Sequence, residues 1–221
     1  MAQTEFRPAE GQRLDAFVDA AFAFAVSLLI ISSGQSAASF NDLMLALLRI
    51  PAFLGGFALI VLFWIAHRTW STLGPARDGW ATLLSLAVVF TILVFVFPLR
   101  LLIESAAHFL SGGRLPGVGL ITSLDQLGWT YFIYGLGFSI LSGLFALLFR
   151  HAERTVDDPA RKLAARQWVR SWGLAFVAGV LSGVVALTPA LRAAPWLPGC
   201  LYWVIPAGIG MFAWLDKRRK A

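Results

Sequence analysis

The sequence predicts an all-α integral membrane bundle of six transmembrane helices with both termini in the cytoplasm, and three observations point there. Hydrophobic residues make up 58% of the chain and charged residues only 14%, with a mean hydropathy of +0.75. Soluble domains carry about a quarter charged residues, so this composition belongs in lipid. Apolar runs long enough to cross a hydrocarbon core of ~30 Å fill nearly all the length. Basic residues fall in alternate loops, as they do when one side of a bundle is cytoplasmic.

The runs can be taken in order. Leu14 to Ser32 opens the bundle, followed by Met44 to His67, Trp80 to Ile103, Leu127 to Phe149, Trp168 to Leu187 and Trp196 to Leu215. Turn chemistry separates them: Gly74-Pro75, Gly112-Gly113, Leu115-Pro116-Gly117 and Asp157-Asp158-Pro159. Pro98 and Pro206 fall inside spans, where a missing backbone donor predicts kinks. Trp80, Trp129, Trp168 and Trp196 stand near span starts, where amphipathic rings suit the interface. Gly135, Ser139 and Gly143, and again Gly179 and Gly183, recur every four residues and permit close helix approach. One membrane domain covering residues 1–221 is expected.

On the crowded side of this arrangement lie Arg7, Arg13, Arg68, Arg77, Arg150, Arg154, Arg161, Lys162, Arg166, Arg170, Lys217, Arg218, Arg219 and Lys220. Arg49, Arg100, Arg114 and Arg192 are left on the other. The excess of base, 18 Lys+Arg against 12 Asp+Glu, would suggest nucleic acid in a soluble protein. In a membrane protein it follows from cytoplasmic loops and anionic headgroups, and no nucleic-acid partner is expected. Cys200 is the only cysteine, which rules out an intrachain disulfide. Ser36-Ala37-Ala38 after an apolar run could end a signal peptide. Glu5, Glu10, Asp15 and Asp19 outnumber Arg7 and Arg13, which is the wrong charge for one, so the segment is expected to stay.

The first span carries the chemistry. An ionisable residue inside a span costs about 2.5–3.5 kcal/mol on insertion scales and calls for a partner or a role. Asp19 is the main case, with Asp15 one turn earlier and Arg13 close by. At about 100° per residue, Ala20, Phe24, Ser27, Leu28 and Ile31 share one face, while Asp19 points about 140° from Phe24. On periodicity alone the ladder reads as lipid-facing or core packing and not as a functional surface.

Arg13-Leu-Asp-Ala-Phe17-Val-Asp19, running into an Ala- and Phe-rich apolar helix, resembles the signature of the transmembrane protein 175 family of potassium channels, Arg-x-x-x-Phe-Ser-Asp. Phe63-Trp64-Ile-Ala-His67-Arg68 is similar to that family's second-helix Trp and His, and Phe95-Val-Phe-Pro98 to its third-helix end. The likeness covers the first half of the chain. It implies a homotetramer in a lipid bilayer, by bacterial analogy the inner membrane, with first helices around a pore that passes potassium ions and no cofactor. It places Phe24, Leu28 and Ile31 at a pore constriction with Ser27 beside them. Arg13, Phe17 and Asp19 become structural, in a network with Trp64, His67 and Ser85. An apolar ring can gate by dewetting, because an ion shedding water there gains no replacement ligands; no Thr-Val-Gly-Tyr-Gly filter is present. Val18 replaces the signature serine and Ser85 the usual third-helix asparagine, leaving His67, Arg13, Ser85 or Trp64 as partners for Asp19.

Two other readings stay open. A proton-coupled carrier could use Asp19 and His67 as a protonation pair, and a non-conducting scaffold would use neither. His108 and His151 fall in predicted loops on opposite sides, which excludes a shared metal site. Glu153, Asp157 and Asp158 among their basic neighbours read as a solvated charged loop. Asp216-Lys-Arg-Arg-Lys220 reads as a headgroup anchor. No phosphate loop, nucleophile elbow or metal-ligand helix motif occurs, so an enzyme is not expected.

Overall fold

The computed structural model describes residues 8–31, 39–117 and 121–218, with side chains left out at 8–10, 213 and 215–217. Ser32, Ser36-Ala37-Ala38, Glu5, Arg7, Arg219 and Lys220 therefore lie outside the described residues, as do the side chains of Glu10, Asp216 and Lys217. The described residues are helical or in turns, and their contacts gather into two compact units, residues 1–72 with 77–122 and residues 73–76 with 123–221.

In the first unit α1 spans Pro8–Ile31, α2 Phe40–Leu48, α3 Ile50–Thr72 and α4 Gly79–Leu110. At ~1.5 Å per residue, the 24 residues of α1 reach about 36 Å, enough to cross the core. Helix α2 is not the start of a span. Ser39 and Asp42 form a reciprocal capping box that begins a separate helix, and Arg49 caps its end before Pro51 opens α3. The second crossing is thus Ile50–Thr72 and not Met44 to His67. Helix α4 starts on the side chain of Asp78, which accepts from the Ala81 amide at 2.8 Å, and continues past Pro98 to Leu110. Val18, Phe22, Ala25 and Leu29 bury one stripe of α1, and α1 packs on both α3 and α4. Gly56 lets α3 close on α1, since a Cβ there would stand 2.9 Å from Leu29 Cδ2.

The second unit is built on a hairpin of α5 (Leu124–Thr155) and α6 (Pro159–Ala186). Asp158 caps α6, accepting from the Ala160 amide at 2.9 Å, and Pro159 sits where no amide partner is needed. The small-residue stripes meet as expected: a Cβ on Gly135 would lie 2.7 Å from Gly179 O and 3.0 Å from Gly183 N. Phe145 stacks on Trp172 at 4.8 Å and Phe149 on Trp168 at 5.4 Å, closing the hairpin's other end. The last apolar stretch is broken into α7 (Ala190–Ala193), α8 (Leu197–Cys200), a 3-10 turn at Leu201–Trp203 and α9 (Val204–Arg218). Among the described residues five helices are long and apolar enough to span a membrane, and Leu197–Phe212 forms a shorter apolar piece. Pro206 falls in the first turn of α9, where its missing donor costs nothing, so it marks a helix start and not a kink. Trp80, Trp129 and Trp196 are exposed, as interfacial rings should be.

Candidate functional site

The site is the face-dependent chemistry of α1. Its buried stripe, Val18, Phe22, Ala25 and Leu29, points into the first unit. The ladder lies about 140° around the helix from that stripe. Phe24 is 54% exposed and Ile31 67% exposed within the chain, Leu28 is half-buried, and Ser27 is exposed. The Ser27 hydroxyl donates to Ala23 O at 3.1 Å, so its hydrogen-bonding need is met within the helix. Arg13 and Phe17 are exposed on the ladder side. Among the described residues this flank is thus largely exposed, with Leu28 half-buried.

The acidic side of α1 is tied to α3. Trp64 Nε1 donates to Asp19 Oδ1 at 2.8 Å, and the Arg68 guanidinium lies 5.4 Å from the Trp64 ring centroid. Among the candidate partners of Asp19 the structure selects Trp64. His67 is buried and shares a 3.0 Å hydrogen bond with the Ser85 hydroxyl of α4, and its ring packs against Trp70 at 5.2 Å. Asp19 and His67 are not hydrogen-bonded to one another; two separate pairs, one α1–α3 and one α3–α4, replace a single cluster. Val18, in the signature serine's place, is fully buried and contributes apolar packing there. Replacing Trp64 by phenylalanine is expected to destabilise the protein by about 1 kcal/mol, because Asp19 loses its donor while the ring packing is kept. Thermal unfolding of the purified variant checks this.

A second tie lies one turn below, and sequence reasoning missed it. Arg77, expected only as a loop charge, forms a bidentate ion pair with Asp15: Nη1 to Oδ1 and Nη2 to Oδ2, both 2.9 Å. The Ser71 hydroxyl donates to Asp15 Oδ2 at 2.8 Å, and Arg77 also reaches Ser71 Oγ. The guanidinium lies 4.6 Å from the Trp70 ring centroid, and its stem covers Gly11, where a Cβ would stand 3.0 Å from Arg77 Cγ. The ion pair is mostly shielded, with side-chain exposures of 17% and 31%. Arg13, the expected neighbour of Asp15, takes no part. The sequence carries no signal for this pair, since nothing in spacing links positions 62 apart. Arg77→Gln should cost about 1–2 kcal/mol, less than a fully buried pair would. In a double-mutant cycle with Asp15→Asn the two losses should be less than additive.

The other candidates resolve simply. His108 lies in the last turn of α4, 2.7 Å from Leu115 O, and His151 is buried in α5; neither is in a loop. No metal-holding cluster occurs among the described residues. Glu153 pairs with Arg166 at 2.8 Å and Asp158 with Arg161 at 3.5 Å on exposed helix ends, so the charged region is mostly helical with a short turn. Arg218 stacks 3.8 Å from the Trp214 ring.

Fold and site together define a helical integral membrane protein whose first helix is anchored on one side and bare on the other. Residues 13–98 match the family described as endosomal/lysosomal potassium channel TMEM175. A potassium channel of Marivirga tractuosa is 31% identical over 157 residues, which cover 66% of this chain and 61% of that relative. The match thus spans about three-fifths of the relative's length. A crystal structure of a threonine-to-alanine variant of the potassium channel MtTMEM175, in complex with a nanobody fusion protein, aligns with a TM-score of 0.81. It is 23% identical and covers 93% of each chain, a likeness that shows the fold. The match to the family model lies within the first unit. Neither that family nor these relatives are named for an enzymatic activity.

Proposed function

We propose that the chain is the subunit of a homotetrameric, potassium-conducting cation channel in which α1 lines the pore and Phe24, Leu28 and Ile31, with Ser27, form an apolar constriction. The observation that carries this reading is the uncovered ladder. A helix held to its neighbours through Asp15, Asp19 and the Val18–Leu29 stripe offers bulky apolar side chains on its opposite flank, where symmetry mates would meet. Likeness to the family model and to proteins named potassium channels supports the same arrangement. Arg13 and Phe17, bare on the same flank, then contact neighbouring subunits. The alternation of basic residues supports cytoplasmic termini, and the proposed location is the inner membrane of a bacterial-type cell. A large apolar ring at the narrowest point holds conduction low by dewetting.

The carrier reading required Asp19 and His67 to act as one protonation pair, and their separate hydrogen bonds disfavour it. Purified protein in liposomes is expected to pass potassium down its gradient, with flux raised by Leu28→Ala. Vesicles holding either protein that are no leakier than empty ones would overturn the channel reading.

A further inference from the structure

In the second unit, the side of α5 turned away from the hairpin seam changes character along its length. At about 100° per residue Ile140, Leu147, Arg150 and Arg154 lie within about 80° of one another, away from the buried Leu148 and Ala152. Ile140 and Leu147 are exposed apolar side chains, and Arg150 and Arg154 are exposed in the two turns that follow. Trp129, also exposed, lies on the same side near the other end of the helix. The 21 residues from Trp129 to Arg150 measure about 32 Å at ~1.5 Å per residue, against a hydrocarbon core of ~30 Å. An interfacial ring thus marks one border of the lipid on this helix, and a guanidinium marks the other.

Both arginines are available at that border. Neither side chain forms an ion pair or a hydrogen bond among the described residues, whereas Glu153 holds Arg166 and Asp158 holds Arg161. Residues 150–170 carry six Lys+Arg against three Asp+Glu, a surplus of three positive charges after every carboxylate is counted. Arg154 stands in the last turn of α5, where the carbonyl end of a helix repels an anion. The amide end of α6 begins four residues after α5 stops and offsets that repulsion. Side chains one turn apart stand about 5–6 Å apart at Cβ, close enough for two guanidinium forks to hold one phosphate. A phosphodiester carrying acyl chains fits both halves of the stripe, charge against charge and hydrocarbon against hydrocarbon.

We propose that Arg150 and Arg154 form a binding site for an anionic phospholipid, with the phosphate on the two guanidinia and an acyl chain along Leu147 and Ile140. A glycerol headgroup of net negative charge is selected over a choline headgroup, whose ammonium the same pair repels. A second copy of the chain is the poorer occupant. Lying alongside in the same membrane orientation, it would bring its own surplus of positive charge to the same level, where a lipid brings phosphate.

The test titrates acyl-labelled phosphatidylglycerol onto the full-length protein in nonionic micelles, with binding read by fluorescence anisotropy and acyl-labelled phosphatidylcholine as the comparison. Saturable binding, about tenfold or more tighter than that of phosphatidylcholine, is expected. Arg150→Gln/Arg154→Gln should bring the two lipids to within about twofold of each other, while Arg150→Lys/Arg154→Lys, which keeps the charge, should retain a preference of about threefold or more. Arg161→Gln/Lys162→Gln removes the same charge from exposed positions on α6, and its preference should stay within about twofold of the parent's. Equal affinity for both lipids in the parent would overturn the site. So would a preference unchanged in Arg150→Gln/Arg154→Gln, or one lost equally in the α6 pair, which would reveal only a diffuse field. Glycerol 3-phosphate in millimolar excess should leave the labelled lipid bound; displacement would make the occupant a soluble phosphate ester and overturn the lipid assignment.

Discussion

Phe24→Ala is expected to raise potassium flux through reconstituted protein by about tenfold or more, equivalent to about 1.4 kcal/mol off the barrier. The side chain is large, apolar and 54% exposed on the flank opposite the buried stripe, so the unit's own core loses little when it is removed. In the proposed pore four copies of the ring would close one level of the constriction, and alanine there would let water and a hydrated ion remain. Ala23→Ser, one position away on the helix, should leave flux near the parent value because that residue points about 100° from Phe24. A fall in flux for Phe24→Ala with the protein still folded would mean that the ring supports the pore instead of closing it.

The second large effect falls on stability. Gly135→Val should destabilise the protein by about 3 kcal/mol or more, at the upper end of overpacking costs. A Cβ at Gly135 meets backbone and not the end of a flexible side chain: Gly179 O at 2.7 Å, Gly183 N at 3.0 Å and Gly183 Cα at 3.1 Å. Helices α5 and α6 would have to move apart along the seam on which their packing depends. Gly173→Ala is the matched control, because nothing lies within 4 Å of a Cβ there. Relief of glycine's backbone freedom should leave that variant as stable as the parent or better by roughly 0.5–1 kcal/mol. Thermal unfolding and monodispersity in detergent separate the two.

The parts of this molecule governed by one-dimensional patterns were legible in the sequence. Apolar length marked the long helices, the four-residue spacing of Gly135, Ser139, Gly179 and Gly183 marked the seam, and 100° periodicity separated the ladder from the acids on α1. Trp64 was among the partners expected for Asp19, though spacing could not choose it over His67. Contacts between distant segments left no trace. The Asp15–Arg77 pair joins a helix to a loop beyond the next helix, and an isolated arginine in a basic loop looks like any other topology charge. Element ends were also hard where two signals compete. Leu43 to Leu48 is apolar enough to extend a span, yet the Ser39–Asp42 capping box and Pro51 divide it into two helices. The final apolar run is helical from Leu197 onward, but it passes from α8 through a 3-10 turn into α9, with Pro198 and Pro206 in the first turns of α8 and α9. Arg100 and Glu104, four apart on α4, were readable as an i,i+4 pair; that they border a cavity was not.

The orientation of α1 decides between a pore-lining and a lipid-facing ladder, and cadmium bridging of single cysteines reads it directly. In a Cys200→Ser background, Phe24→Cys and Ile31→Cys should each be bridged between subunits by micromolar-range cadmium, with potassium flux blocked at the same concentration. Phe90→Cys, on an exposed face of α4, should be neither bridged nor blocked. Unbridged cysteines at both 24 and 31, in protein shown to be oligomeric, would contradict a symmetric pore built on this helix.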